Sequence, residues 1–280
     1  MKQRHFPGRL TVTTSWDDGH PSDIRLATLL QKHGVQGTFY VPTRNAERRP
    51  VLTGRQIAEL AQHYEIGGHT RDHLPLTSLP GATAYLQILS NKMYLEDILG
   101  RSVAGFAYVR GANNRLTRNL VKRAGYRYAR GIRSLTSHLA LQPFAMPVTA
   151  QFYPHQRLTY LKNYISGGPS LPRTRLLYFA VSGQRLSSRC VALAEACARS
   201  GRHFHLWGHS WELEDHNLWN ELDDFFHRLS DLQPNYVTNV ALAPLSADEN
   251  INYRRRAIDV AGVECVGDLP IAAPPMGGAS

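Results

Sequence analysis

Cysteine is scarce in this chain: three among 280 residues, at Cys190, Cys197 and Cys265. So small and odd a set excludes a disulfide framework, and no C-x-x-C pair suggests a cysteine zinc site. Cys190 and Cys197 fall in an alanine-rich helical stretch, where small buried side chains are expected. The pattern suits a reducing compartment. Long hydrophobic runs are also missing. Nothing approaches the roughly 18 apolar residues that a membrane-spanning helix needs. The opening Met-Lys-Gln-Arg-His-Phe-Pro lacks the apolar stretch of a secretory leader, so a cytoplasmic location is expected. Acidic residues are outnumbered 22 to 32 by lysine and arginine, leaving a net charge of +10. The basic residues are nevertheless scattered, as at Arg48–Arg49, Lys122–Arg123, Arg173 with Arg175, and Arg254–Arg256. A generally basic surface is therefore expected, and no nucleic-acid partner.

What is present reads as a globular core, with 42% hydrophobic and 19% charged residues. Short β-type runs alternate with helical patterns. Leu10–Ser15, Thr38–Val41, Tyr64–Ile66, Val103–Tyr108, Tyr126–Ala129, His203–Trp207 and Tyr236–Thr238 read as strands. Ser22–His33, a segment opening at the T-x-x-Q capping box of Thr53, Ala82–Leu99, Arg115–Ala124, Ser188–Arg199 and Asn217–Ser230 read as helices. Residues 131–175 are rich in proline and glycine and show no clear element. Repeated βα units predict an α/β fold with a mostly parallel sheet and helices outside, and such folds carry their sites on the loops that follow strands. One domain over 1–266 and a frayed tail over 267–280, rich in proline and glycine, are expected.

Three strand ends carry groups with chemistry. The first runs Ser15-Trp16-Asp17-Asp18-Gly19-His20. Adjacent carboxylates in a regular strand point to opposite faces, so they share a site only where the strand breaks, and Gly19 and Pro21 supply a break. Two acids at one mouth repel unless a cation or proton separates them; Asp-Asp-Gly is also ordinary turn chemistry. The second is Gly68-His69-Thr70-Arg71-Asp72-His73, whose H-x-x-x-H spacing would face both imidazoles the same way on a helical turn. Two imidazoles with one carboxylate are a frequent donor set for a catalytic divalent metal. The third is His205-Leu206-Trp207-Gly208-His209-Ser210-Trp211-Glu212. His203 and His205 are expected to pack or hydrogen-bond within their strand, whereas His209, past the glycine, suits a general acid.

Taken together, these pieces resemble the polysaccharide deacetylase (NodB-homology) family, carbohydrate esterase family 4. Thr14-Ser15-Trp16-Asp17-Asp18-Gly19 looks like its first motif and His69-Thr70-Arg71-Asp72-His73 its second. Phe106-Ala107-Tyr108-Val109-Arg110-Gly111 stands where the third belongs, and Trp207-Gly208-His209-Ser210 looks like the late histidine motif of a shorter subgroup. The resemblance implies a distorted (β/α) barrel of about seven parallel strands in a single domain. It implies one divalent metal on Asp18, His69 and His73, zinc first, with cobalt, nickel, iron or manganese as alternatives. Asp17 would be the general base and His209 the general acid, with the Arg110 backbone N–H helping to hold the oxyanion as an N-acyl group is cleaved from an amino sugar or glycan. Trp16, Tyr108 and Trp207, the aromatic residues within these motifs, are the expected sugar contacts.

The third motif departs from the family pattern. Ala107, Val109 and Arg110 occupy places where that pattern has a base-orienting arginine and a proline–aromatic pair. Arg130, at the next strand end, is the candidate replacement for the arginine. A guanidinium at position 110 beside a cation needs an anionic offset, either Asp17 or an anionic substrate. Two other readings of the same fold stay open: hydrolysis of a non-sugar amide such as a formamide or ureide, and a catalytically weak glycan- or polyanion-binding protein.

Overall fold

The structure, a computed structural model, describes residues 9–137, 143–182 and 185–243. The expected boundary between a domain over 1–266 and its tail lies outside the described residues, as does Cys265. In chain order the first half holds β1 (Thr11–Asp17), α1 (Asp23–Lys32), β2 (Thr38–Val41), α2 (Gly54–Leu60), β3 (Glu65–Gly68), α3 (Gly81–Leu99), β4 (Gly105–Ala107), α4 (Arg115–Arg123) and β5 (Tyr128–Arg130). Then come β6 (Ala150–Gln151), α5 (Arg157–Ser166), α6 (Leu171–Ser182), α7 (Leu186–Arg199) and β7 (Phe204–His209). The described chain ends with α8 (Ser210–Asp215), α9 (Trp219–Ser230), β8 (Asn235–Tyr236) and α10 (Asn239–Leu242).

Seven strands run in the order β5-β4-β3-β2-β1-β7-β6, and β8 pairs with the start of β1. Every pairing between them is parallel. The sheet curls, and one segment spans its two edges. Met146 exchanges backbone hydrogen bonds with Ala129 and Gly131 beside β5, while Ala150 and Gln151 pair with Leu206 and Trp207 of β7. This is the distorted barrel of about seven parallel strands.

The helices form for the reasons their sequence gives. The Thr53 hydroxyl takes the Gln56 N–H while the Gln56 side chain takes the Thr53 N–H, closing the capping box of α2. In α9, Leu222, Phe225, Phe226 and Leu229 make one fully buried face. Cys190 and Cys197 are buried on α7, and burial pushes both thiols up to about 12, so they behave as small apolar fillers. Strand β1 carries buried polar side chains, and each finds a partner. Thr13 Oγ1 meets His203 Nε2 at 2.8 Å and His205 Nδ1 at 2.9 Å, Ser15 Oγ meets His205 Nε2 at 2.8 Å, and the Thr14 hydroxyl donates to Gln36 O. The two histidines thus hydrogen-bond within the barrel, as expected.

Three expectations are corrected. The stretch over 131–175 is not irregular throughout, for it contains β6, α5 and the start of α6. The helix expected over Asn217–Ser230 begins at Trp219, behind Asn217 in a left-handed conformation with φ of 50°. Residues 69–73 do not form a helical turn, with consequences for the site.

Candidate active site

All the singled-out chemistry lies at the carboxyl ends of the parallel strands. Asp17 ends β1 and stands in register with His209, which ends β7; Ala107 of β4 stands in register with Arg130 of β5. Beyond Asp17 the strand breaks at once. Asp18 has φ of 77° and Gly19 φ of 57°, so the second carboxylate swings out of the strand's alternation to the same mouth as the first. A side chain at Gly19 would stand 2.7 Å from Val41 Cγ1, so glycine is required there for space as well as conformation.

His69 and His73 converge through a loop rather than a helix. Thr70 and His73 both adopt left-handed backbone, with φ of 65° and 55°, which folds the segment back on itself and places the two rings 5.2 Å apart. Two amides of α3, four residues apart on one buried face, hold this loop. Asn91 Oδ1 accepts the His69 N–H at 2.9 Å while its amide reaches Val41 O. Gln87 Oε1 accepts the Asp72 N–H, and Gln87 Nε2 donates to Asp72 Oδ2 at 2.6 Å. A Cβ on Gly68 would come within 2.8 Å of Asn91 Oδ1, so the glycine before His69 keeps that grip open.

Asp18, His69 and His73 are all buried and present donor atoms within 4.8 Å of one another. Asp18 Oδ1 stands 2.9 Å from His73 Nε2 and 3.5 Å from His69 Nε2, yet forms no hydrogen bond of good geometry. His69 gives its Nδ1–H to the carbonyl of Ala107 at 2.8 Å, which leaves its Nε2 lone pair facing inward. Two imidazole nitrogens and one carboxylate oxygen this close together are a donor set that fits a divalent cation. Burial alone would raise the Asp18 carboxyl, but the imidazoles of His69 and His73 hold it well below the usual carboxylate range. Trp211 Nε1 donates to Asp18 Oδ2 at 2.9 Å, so Oδ1 is the oxygen left facing the two imidazoles; Arg49 lies over the Trp211 ring at 3.6 Å and covers it.

Two further pairs flank the cluster. Arg130, fully buried, donates through Nη2 to Asp17 Oδ1 and lies between the rings of Tyr40 and Trp207, at 5.2 and 5.0 Å. On the other side His209 Nδ1 meets Glu212 Oε2 at 2.8 Å, and its Nε2 faces Asp18 Oδ2 at 4.0 Å. Burial favours the neutral ring, but the Glu212 hydrogen bond and the Asp18 and Asp17 carboxylates outweigh it and raise His209 to about 9. Gln151 Nε2 donates to Glu212 at 3.2 Å, and His155 Nε2 bonds Gln151 Oε1 at 2.9 Å. This chain of bonds ends in a cleft of about 480 Å³ whose lining includes Arg133, Gln151, His155, Asn163 and Trp207.

Not every singled-out residue faces the mouth. Trp16 is fully buried and gives its indole N–H to Thr14, and Tyr108 is fully buried with its hydroxyl on Phe144 O. Neither presents a surface for a sugar; Trp207 lines the cleft. Arg110 sits in a tight turn with φ of 54°, and its exposed guanidinium bonds Glu47 Oε1 at 2.8 Å. The anionic offset for Arg110 is therefore supplied within the chain by Glu47, and not by Asp17. Glu47, Gln87, Asn91, Trp211 and Glu212 carry the site's support without having been singled out in the sequence. Only Glu212 had a local signal, an acid three residues after His209 at a helix start.

The profile of the polysaccharide deacetylase family matches residues 7–129, the part that carries Asp17, Asp18, His69 and His73. A peptidoglycan-N-acetylglucosamine deacetylase of Listeria monocytogenes is 31% identical over 91 residues, 32% of this chain but only 19% of that protein's length. Among solved structures the fold is similar to the chitin deacetylase of Colletotrichum lindemuthianum, with a TM-score of 0.58 at 15% identity, covering 88% of this chain and 92% of that one. It is also similar to the CE4 domain of a multidomain xylanase from the hindgut metagenome of Trinervitermes trinervoides, with a TM-score of 0.52 at 13% identity, covering 84% and 90%. Motif order, strand-end placement and fold agree with the match of residues 7–129 to the polysaccharide deacetylase family, and that part of the chain is similar to it.

Proposed function

We propose that this chain hydrolyses the N-acyl group, in the first place N-acetyl, of an amino sugar in a glycan, with one divalent cation on Asp18, His69 and His73. The observation that carries this reading is the meeting, at one barrel mouth, of that donor cluster with an arginine-held carboxylate and a carboxylate-held imidazole. The donor set suits zinc, which supplies a Lewis acid that polarises the acyl carbonyl and eases loss of a proton from water. Asp17 takes that proton, and the buried guanidinium of Arg130 fixes the carboxylate's direction. The water oxygen bonds to the acyl carbon, and the turn at Arg110 offers a backbone N–H toward the developing oxyanion. As the C–N bond breaks, His209 delivers a proton from Nε2 to the leaving amine, and Glu212 holds the ring by Nδ1. The products are a free amine on the sugar and a carboxylate.

The late Trp207-Gly208-His209-Ser210 motif supplies the acid in this reading and supports the resemblance to the shorter subgroup. The cleft beside Trp207 is the sugar site in this reading, and Arg133 in its lining would suit an anionic substituent. The name of the Listeria relative makes N-acetylglucosamine of peptidoglycan the first glycan to try. Acetate and formate release should be measured with chelator-stripped protein, with and without added zinc, on N-acetylated glycans, nucleotide sugars and simple formamides. Zinc-dependent acetate release from a glycan is expected. Formate release alone would replace this reading with a non-sugar amidase, and binding without turnover would replace it with a glycan-binding protein.

A further inference from the structure

Of the three metal donors, His73 is the least supported. His69 has its Nδ1–H on Ala107 O, and Asp18 has Trp211 on its second oxygen. His73 Nδ1 is buried and has no hydrogen-bond partner. An imidazole that commits its Nε2 lone pair to a cation must keep its proton on Nδ1, and that N–H then needs an acceptor to fix the ring. The carboxylate facing it is Glu47, whose Oε1 lies 3.9 Å from His73 Nδ1. That is beyond a hydrogen bond, and a side-chain adjustment of about 1 Å would make one.

Glu47 is held in position from two sides. Its loop is tied to the histidine loop by the backbone: the Arg44 N–H donates to Arg71 O at 2.8 Å, and the Ala46 N–H donates to Asp72 O at 3.1 Å. The Glu47 N–H itself is taken by Asn45 Oδ1 at 2.7 Å. From the third motif, Arg110 Nη2 grips Glu47 Oε1 at 2.8 Å. We infer that Glu47 is the positioning residue for His73, accepting its Nδ1–H when the site holds its cation, and that Arg110 anchors Glu47 for this task. The arginine that breaks the family's third motif thereby serves the metal site through a carboxylate, and its positive charge near the cation is neutralised within the chain. This inference rests on the metal reading of the same site.

Zinc affinity, measured on the full chain by competition with a chromophoric chelator, tests it without recourse to activity. Glu47→Ala should bind zinc about 10–100-fold more weakly, the usual cost of losing such a partner. Glu47→Gln keeps an acceptor oxygen and should stay within several-fold of wild type; Arg110→Met should lose affinity in the same direction by less. In zinc-loaded, ¹⁵N-labelled protein the His73 Nδ1–H resonance should persist in wild type and Glu47→Gln and vanish by exchange with water in Glu47→Ala. Wild-type affinity in Glu47→Ala, with the fold intact by circular dichroism, overturns the inference. So does an equal loss in Ala and Gln, which would mean that Glu47 acts by charge or as a ligand. A wild-type chain that takes up no zinc would instead overturn the metal reading itself.

Discussion

Asp17 and Arg130 form a pair in which neither partner has appreciable access to water. Such a pair is costly to halve, because the survivor keeps its charge in a place that no longer compensates it. Arg130→Met should therefore destabilise the chain by about 3–5 kcal/mol in urea unfolding. The double variant Asp17→Asn with Arg130→Met should recover a large part of that loss, and a double variant as unstable as the sum of its singles would show that the two side chains act independently. The chemical role separates from the structural one in Asp17→Asn alone, which nearly preserves shape. It should retain zinc while losing on the order of a hundredfold or more in turnover, and His209→Ala should behave similarly. Near-normal turnover in either variant would place the acid–base roles elsewhere. At this scale the sequence is legible where residues act next to their neighbours in the chain. Asp17, Asp18, His69, His73 and His209 stand at strand ends, where chemistry in a parallel sheet collects. Glu47 is not legible, since its partners His73 and Arg110 are brought to it by loop packing and not by spacing.

Helix α3 shows how an element far from the reacting groups can set their geometry. Its Gln87 and Asn91 put two amides on one buried face and take up the backbone of the histidine loop, which has no regular hydrogen bonding of its own. Asn91→Leu would leave the His69 N–H and the Val41 carbonyl without their partner, at about 1–3 kcal/mol for buried groups so abandoned. A lowered unfolding midpoint together with weakened zinc affinity is expected. A variant that loses stability but binds zinc normally would restrict Asn91 to the fold. The periodic elements are readable from sequence, as Thr38–Val41 and the capped α2 show. The H-x-x-x-H loop is not, because a helical turn and a loop with two left-handed residues bring i and i+4 equally close. Helices α5 and α6 escape for another reason. Their outer faces carry exposed Leu158, Leu161, Ile165, Leu171 and Tyr178, so the alternation of apolar and polar that marks a helix on a core is blurred.

A parallel barrel closed over polar side chains stakes its stability on their protonation. Beneath the site, Thr13 and Ser15 of β1 hold His203 and His205 of β7 in the interior. Burial lowers His203 from the ordinary 6.5 to about 4, and His205 is pushed well below its ordinary value by burial and by the neighbouring His203 and Arg130. Between those values the unfolded chain binds the proton more readily than the folded one. The stability these groups allow is therefore complete above about pH 6.5 and is lost as the pH falls toward 4. His203 alone should cost about 2 kcal/mol on going from pH 7 to pH 5, with His205 adding in the same direction. Urea midpoints at the two pH values measure the drop, and carboxylates paired in the folded chain contribute to it as well. His203→Gln isolates the imidazole, since the amide can still bond Thr13 but takes up no proton in this range. The variant should show a smaller drop between pH 7 and pH 5 than the wild type. An unchanged drop would mean that the acid sensitivity of the barrel resides outside this cluster.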